Sequence, residues 1–440
     1  MKITLKFFTD SEIRPVTGIL LNGKPLTDYV LQLEGGSSIN WQQAIFYLEA
    51  RLTELAGYHI TSTGAPATHT PVIALCAGVS PYRAETGYRI TVEENKITAA
   101  FGSTVGALTA LMIWMEKHLP ACAAGQLSLT LDDCEGECGK HDALLPKIGQ
   151  ADLRAMTYNV LGVGARTDLI CAAVMTYYPD FVGMQEYFAG TALASNLHRG
   201  GYRVACEKIN AAAPYSIRTN NVKYERIGIY CCTPIFYRGA EWELLEENAH
   251  LFHWQFRCPH TPTKSLSLAV FARKSDPAQK VLVVNFHAAI VLNDYQNHYL
   301  RFPEGEQCRP GLTDAVQGKI WRLENNKEIL RLIEEMQQKY EKLTVVVIGD
   351  MNGTRDEESI RLFDRHEALS YSLDLAPEHH RDEGPTFHPV GSNKYKHTVP
   401  IDHIYITHDT AEVKAHTVAR DALSLDSSDH CPVMTDLVLK

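Results

Sequence analysis

The stretch VVVIGDMN, residues 345–352, sets β-branched apolar residues directly before Asp350 and Asn352. Such a run reads as a buried strand whose polar successors stand at its C-terminal edge, where α/β folds often place their chemistry. The same grammar recurs along the chain. Asn159 ends MTYN, Glu186 ends FVGMQE, His287 ends VVNFH, Asp402-His403 opens DHIYIT, and Asp429-His430 precedes the last apolar run. A carboxylate placed straight after an apolar strand needs a partner. A hard divalent cation is an economical one, because it takes oxygen ligands, uses one or two carboxylates and keeps several waters. Taken singly, each residue also has a structural reading: Asn159 as a turn former, Glu186 as a strand-end acid capping a helix or paired to an Arg, His287 as a satisfied core histidine, Asp402-His403 as a strand entry, and Asp429-His430 as a turn before the last strand. The joint pattern points to metal-assisted hydrolysis of a phosphate ester.

The elements that must position these residues alternate. Strands are expected over Leu153–Val160, Phe181–Gln185, Val281–Phe286, the run before Asp350, Ile401–Thr407 and Pro432–Leu439, with β-rich segments at Ile227–Tyr237 and Leu266–Phe271. Helices are expected over Leu169–Tyr178 and Lys319–Tyr340, the latter with Ile320, Leu323, Leu330, Ile333 and Met336 inward. Alternating strands and helices make a layered α/β domain over residues 151–440. Residues 1–140 read as a smaller α+β domain, with helices at Trp41–Ala56 and Ser103–His118, a strand at Pro71–Cys76 and a hairpin turning at Glu93-Glu94-Asn95. HDALLPKIGQ, residues 141–150, reads as a linker. Cys134, Cys138 and His141 offer three ligands, whereas a closed structural zinc site takes four.

Length and composition set bounds. At 440 residues two domains are the default, and 45% hydrophobic with 21% charged residues describes a globular protein. A net charge of −10 repels a nucleic-acid backbone, so long DNA or RNA is not favoured as a substrate. The 11 cysteines are odd in number and scattered through apolar segments, which fits reduced thiols and a cytoplasmic location. The N-terminal MKITLKFFTDSEIRP lacks the apolar core of a secretion signal, and no apolar run reaches the about 18 residues of a membrane span. Nothing in the sequence addresses the oligomeric state.

Eight strings, MTYNVLG, PDFVGMQE, PIFYRGAEWELLE, VVNFH, VVVIGDMNGT, GPTFH, PIDHIYI and SSDHCPV, occur in the order and context of the endonuclease/exonuclease/phosphatase (deoxyribonuclease I-like) superfamily, which residues 151–440 resemble. The resemblance implies a four-layer α-β-β-α sandwich, two packed mixed sheets flanked by helices, with the active site at one edge. It further implies a Mg²⁺ or Mn²⁺ cofactor held chiefly by Glu186, with Asn159 close by and Asp429 in support. Asp350 would orient or deprotonate the attacking water, Asn352 would bind phosphate, His287 would donate to a phosphate oxygen, and His430, oriented by Asp402, would contact the scissile phosphate. Whether Asp350 or His430 is the base stays open. The family's usual Asn-Thr-His is Asn285-Phe286-His287 here, and Thr233 stands before PIFYR where an Asn is common.

The implied substrate is a small or medium phosphate ester, with a nuclease or repair endonuclease of the same fold as the near alternative. A non-enzymatic glycan- or ligand-binding protein with a degenerate domain is the alternative of another class, and the intact polar set argues against it. The 291–318 segment carries Tyr295 and Arg301 as candidate substrate contacts. GYRITVEENKITAAFGSTVGALTALMIWMEK, residues 87–117, resembles the non-catalytic N-terminal domain of family 20 hexosaminidases, implying a positioning module.

Overall fold

The computed structural model describes residues 20–25, 28–34, 72–77, 87–101, 128–129, 134–137, 147–161, 167–187, 192–208, 215–219, 222–226, 232–252, 265–289, 314–388, 399–420, 424 and 427–440. The helices expected at 41–56 and 103–118, Cys138, His141, Tyr295 and Arg301 lie outside the described residues. The chain divides into two compact units: Met1–Pro146 with Arg166–Tyr178 and Ser195–Gly200, and Lys147–Ala165 with Pro179–Ala194 and Gly201–Lys440.

In the first unit, β1 (Leu20–Leu21) and β2 (Lys24–Pro25) form a hairpin, and β3 (Val30–Glu34), β4 (Val72–Ala77), β5 (Gly87–Glu93) and β6 (Lys96–Phe101) follow. β7 (Ser128–Leu129) joins β1, and β8 (Cys134–Glu137) completes a five-stranded sheet of order β3-β4-β6-β5-β8. The expected hairpin is present as β5 and β6, antiparallel from Tyr88↔Phe101 to Glu93↔Lys96. Helix α1 (Thr167–Tyr177) belongs to this unit, as does most of helix α2 (Ala192–Arg199).

The second unit carries two six-stranded sheets. The first draws on β9 (Leu153–Asn159), β10 (Phe181–Gln185), β11 (Tyr202–Ala205), β14 (Ile235–Arg238), β21 (Ala411–Val418) and β22 (Val433–Leu439), in the order β11-β14-β10-β9-β22-β21. The second draws on β15 (Trp242–Leu251), β16 (Ser265–Arg273), β17 (Asp276–His287), β18 (Thr344–Asp350), β19 (Leu369–Tyr371) and β20 (Asp402–Thr407), in the order β15-β16-β17-β18-β20-β19. A separate hairpin joins β12 (Tyr215–Thr219) and β13 (Val222–Arg226).

Strand periodicity assigns the two faces. Val346 and Ile348 face the first sheet, joining Ala155, Phe181, Val283, Ile404, Ile406 and Val433 in one core. Val345 and Val347 face outward with Leu282, Val284 and Phe286, where Ile329 and Ile333 of helix α3 (Asp314–Lys339) and Ile360 and Phe363 of helix α4 (Glu358–Asp364) cover them. Because both faces of the central strands are covered, β9 and β18 are buried at every position, which is why their sequences lack alternation. The architecture is an α/β sandwich of two mixed sheets with helices, of the expected class, with a smaller N-terminal unit.

The long helix begins five residues earlier than its expected start, and its buried face differs from the expected one. Ile320, Leu323, Leu330 and Met336 are half-buried, whereas Arg322, Asn325 and Asn326 are fully buried with Ile329 and Ile333. Polar side chains can occupy this face because they are bonded there. The Arg322 guanidinium pairs with Glu357 through both carboxylate oxygens at 2.6 Å and donates to Ala289 O at 2.8 Å, and Asn326 Nδ2 donates to Ser359 O at 2.9 Å. An apolar count along the helix misses that arrangement.

Candidate active site

Strand register assembles the site. β17 and β18 run parallel with His287 opposite Asp350, and β18 and β20 run antiparallel with Asp350 opposite Asp402. Directly opposed residues share a face, so the three side chains form a row across adjacent strands at one edge of the second sheet. Across the interlayer, β9 and β10 run parallel with Asn159 opposite Gln185. Glu186 follows at a φ of 55°, a left-handed conformation uncommon for a non-glycine residue and a recurrent mark of constrained sites. The titratable row thus extends the inward-facing positions one step past the hydrophobic core, through Val346, Ile348 and Asp350 on one strand and Val283, Asn285 and His287 on the next.

Between core and site lies a layer of amides. Asn285 Nδ2 donates to Met184 O at 2.9 Å, Thr233 O at 2.9 Å and Pro234 O at 3.0 Å, and its Oδ1 accepts from Gln185 Nε2 at 2.7 Å. Gln185 also donates to Thr157 Oγ1 at 3.0 Å. This bridge ties the residue before Glu186 to the residue two before His287 across the sheets. Only glycine fits opposite it: a Cβ at Gly183 would stand 2.6 Å from Asn285 Cγ. Phe286 points into the outer core, so replacing the family's Thr there leaves the site untouched. Thr233 bonds Ser265 Oγ at 2.7 Å, inside the sheet layers.

Within the site, Asn159 Nδ2 donates to Asp350 Oδ2 at 3.0 Å and approaches Glu186 Oε1 at 3.4 Å, while its Oδ1 accepts from Leu161 N at 3.0 Å. Asp350 Oδ2 lies 3.2 Å from His287 Nε2 and 3.9 Å from His430 Nε2, and its Oδ1 accepts from Asn352 N at 3.0 Å. His287 Nε2 stands 3.9 Å from Glu186 Oε1. Asn352, itself at a φ of 49°, donates from Nδ2 to Ala288 O at 3.1 Å. His430 Nδ1 donates to Asp402 Oδ2 at 2.8 Å, with both residues buried. Seven of the sequence candidates, Asn159, Glu186, His287, Asp350, Asn352, Asp402 and His430, are therefore joined by contacts of 3.9 Å or less. Asp429 is half-buried within the same electrostatic neighbourhood. The rings of His379 and His380 lie 4.1 Å apart and tilted by 52°, on a single 3-10 turn with Glu378.

The charges are mutually consistent. Burial opposes an imidazolium at His430, but the carboxylates of Asp402, Asp350 and Asp429 together outweigh it and push the group up to about 10. The proton therefore stays on the imidazole facing Asp402. Burial pushes Asp429 above the usual carboxylate range, and the Glu186 and Asp350 charges add to this against the opposing pull of His430. Carboxylates so crowded favour a nearby cation. One ligand atom each from Asp350, Asp402 and His430 falls within 4.8 Å of the others. Asp402 already engages Nδ1 of His430, however, so this trio is a carboxylate–imidazole pair beside a second carboxylate more than a closed metal cage. Glu186, whose side chain is 33% exposed, offers the accessible hard oxygens.

Sequence reasoning passed over three supports: the Asn285–Gln185 bridge, Thr386 in GPTFH, and Ser428, whose Oγ donates to Asn159 O at 2.6 Å. The signal for the first was a lone Asn amid β-branched residues in VVNFH, where a polar side chain needs a partner.

No curated protein matches the chain. Among solved structures, an endonuclease/exonuclease/phosphatase family protein from Bacteroides thetaiotaomicron is 19% identical, with a TM-score of 0.46 over 66% of this chain and 95% of that one. A mannosyl-6-phosphatase from the same organism is 19% identical, with a TM-score of 0.46 over 66% of this chain and 100% of its own. The human Nocturnin catalytic domain with bound sulfate is 18% identical, with a TM-score of 0.43 over 66% of this chain and 94% of that one. The sequence profile described as the Endonuclease/Exonuclease/phosphatase family matches residues 156–430. Spanning more than half of the sequence, and running from the strand that delivers Asn159 to His430 itself, this match shows that the chain belongs to the Endonuclease/Exonuclease/phosphatase family, whose members hydrolyse phosphoesters.

Proposed function

We propose that this chain is a divalent-metal-dependent hydrolase of small or medium phosphate esters, working by in-line attack of water. The observation that carries this reading is the row His287–Asp350–Asp402, continued by the Asp402–His430 pair and faced by Glu186. Phosphoryl transfer asks for positioning and charge stabilisation more than for covalent chemistry, and this row supplies both.

Asp350 is the group that orients or deprotonates the water. Its oxygens are fixed by the Asn159 amide and the Asn352 backbone N–H, so the carboxylate is aimed before substrate arrives. His287 and protonated His430 converge on Asp350 from two sides, where both can donate to phosphate oxygens. Asp402 keeps His430 in one tautomer and orientation. Asn352 binds phosphate beside Asp350. The donor set fits Mg²⁺ or Mn²⁺: Glu186 would be the main ligand, Asp429 would support it, and Asn159 would hold the Glu186 and Asp350 carboxylates beside it. When bound, the cation neutralises charge on the phosphate oxygens. Tyr295 and Arg301 remain the substrate contacts suggested by their place in the segment after His287.

The test is a phosphate-ester panel with Mg²⁺ and Mn²⁺, with and without EDTA, containing sugar phosphates, bis(p-nitrophenyl) phosphate, dinucleotides and plasmid DNA. Metal-dependent cleavage of the small esters supports the reading. Preference for plasmid DNA transfers it to a nuclease. An inert panel, with no thermal stabilisation by either metal, points to a binding protein.

A further inference from the structure

Asp402 and His430 come from different sheets, so something must hold the start of β20 against the turn before β22. Thr386 stands between them. It is buried, and its side chain and main chain bind different partners. Thr386 Oγ1 accepts from Ile401 N at 3.0 Å and from Asp402 N at 3.1 Å. Its carbonyl oxygen accepts from Cys431 N at 2.7 Å, the residue after His430. The flanking residues tighten the same strap. Phe387 forms a bridge with His430 and lays its ring 5.0 Å from the imidazole, and His388 N donates to Asp429 O at 2.8 Å.

We infer that Thr386 is a positioning residue, its hydroxyl fixing the backbone of Asp402 and its carbonyl fixing the backbone beside His430, so that the carboxylate–imidazole pair forms in one register. A hydroxyl is what this place requires. One oxygen takes two N–H groups from consecutive residues, that of Asp402 buried, which no apolar side chain of the same shape can do. Without that acceptor the strap holds the segment entering β20 only through Val399 O, which accepts from Thr386 N and Phe387 N three residues short of Asp402. The Asp402 carboxylate then loses its alignment with Nδ1, while Glu186, His287 and Asp350 keep their own supports in the Asn285–Gln185 bridge and the β17–β18 ladder.

The consequence for catalysis rests on the hydrolase reading above, so the test includes a measurement independent of turnover. Thr386→Val and Thr386→Ser are compared with wild type in histidine-¹⁵N-labelled protein. The downfield Nδ1–H resonance of His430 is assigned by its loss in His430→Ala. Wild type and Thr386→Ser are expected to share that resonance, and Thr386→Val to lose it or shift it upfield. With bis(p-nitrophenyl) phosphate and Mg²⁺, Thr386→Val should lower kcat on the order of 10²-fold, the effect of an ångström-scale misplacement. KM should stay within about twofold, because His287, Asn352 and the Glu186 side of the site still hold the ground-state phosphate when the pair is misaligned. Should Thr386→Val not fold, Thr386→Ala is read by the same two measurements. The inference is overturned by a Val variant that keeps the wild-type resonance, or by a Ser variant that loses it as fully as Val does. If wild type turns over no ester, the hydrolase reading fails by itself, and the resonance alone decides the role of Thr386.

Discussion

At the scale of single residues, His430 sits where water cannot stabilise an imidazolium, yet the carboxylates of Asp402, Asp350 and Asp429 hold the proton on it. Asp350 stands between the two imidazoles with both of its oxygens occupied by donors. Replacing it by Asn keeps the shape and removes the charge to which the proposed function gives the aiming or deprotonation of water. We expect Asp350→Asn and His430→Ala each to lower kcat by at least about 10²–10⁴-fold, the contribution of a positioned acid or base. Melting temperature and far-ultraviolet dichroism should confirm that both variants fold. Wild-type turnover in either would show that the chemistry is carried elsewhere. Glu186 differs, because its carboxylate is open to solvent and held at one edge by the Asn159 amide. Glu186→Gln should move the midpoint of a Mg²⁺ or Mn²⁺ activation curve upward by about 10-fold or more, in keeping with the weakening caused by altered ligand shells. An unchanged midpoint would assign the cation to other donors.

At the scale of elements, the site depends on sheets that cannot slide past each other. The Asn285–Gln185 bridge sets that register, since four of its hydrogen bonds cross from one sheet system to the other. Asn285→Leu fills the same space but leaves the carbonyls of Met184, Thr233 and Pro234 without this donor. The expected loss is about 1–3 kcal/mol per buried group left unsatisfied. A urea titration should therefore show a clearly lower midpoint, and kcat should fall because Glu186 and His287 are no longer held in register. A midpoint equal to wild type would mean that the bridge is incidental. This is also where legibility ended. Strand ends could be read because β-branched runs such as Val345–Ile348 stop at one polar residue, and each of those residues does lie at the shared edge. The outward and inward sides of β17 could not be separated, because apolar layers cover both faces and alternation disappears. Arg322, Asn325 and Asn326 misled the reading of α3 for the converse reason: polar residues face inward when another element brings their partners. Thr386 was invisible as a support because its partners are backbone groups, which carry no residue type.

At the scale of the whole molecule, the net charge of −10 includes a site in which Glu186, Asp350, Asp402 and Asp429 gather around two imidazoles. No helix among the described residues is long and apolar enough to cross a membrane. Two further histidines of the second unit have no charged role and link stability to acidity. Burial depresses His403 to about 4, although its bond to Gly353 O and the Asp350 and Asp364 charges act the other way. Burial depresses His416 to about 3, and its Nδ1 lies 2.7 Å from Ser372 Oγ. An unfolded histidine titrates near 6.5. Since both folded values lie below that, the unfolded chain binds more protons as pH falls, and stability must rise with pH through this window. The contribution is fully present above about pH 6.5 and is lost progressively toward the folded values near 4 and 3. At pH 5 each group should have given up about 2 kcal/mol, the product of about 1.4 kcal/mol per unit and about 1.5 units. Urea midpoints of the wild-type chain should fall steeply between pH 7 and pH 5. His416→Gln, which keeps a polar partner for Ser372 but cannot titrate, should flatten part of that slope while leaving the His403 share. An unchanged slope in His416→Gln would show that the His416 imidazole takes no part in the acid sensitivity.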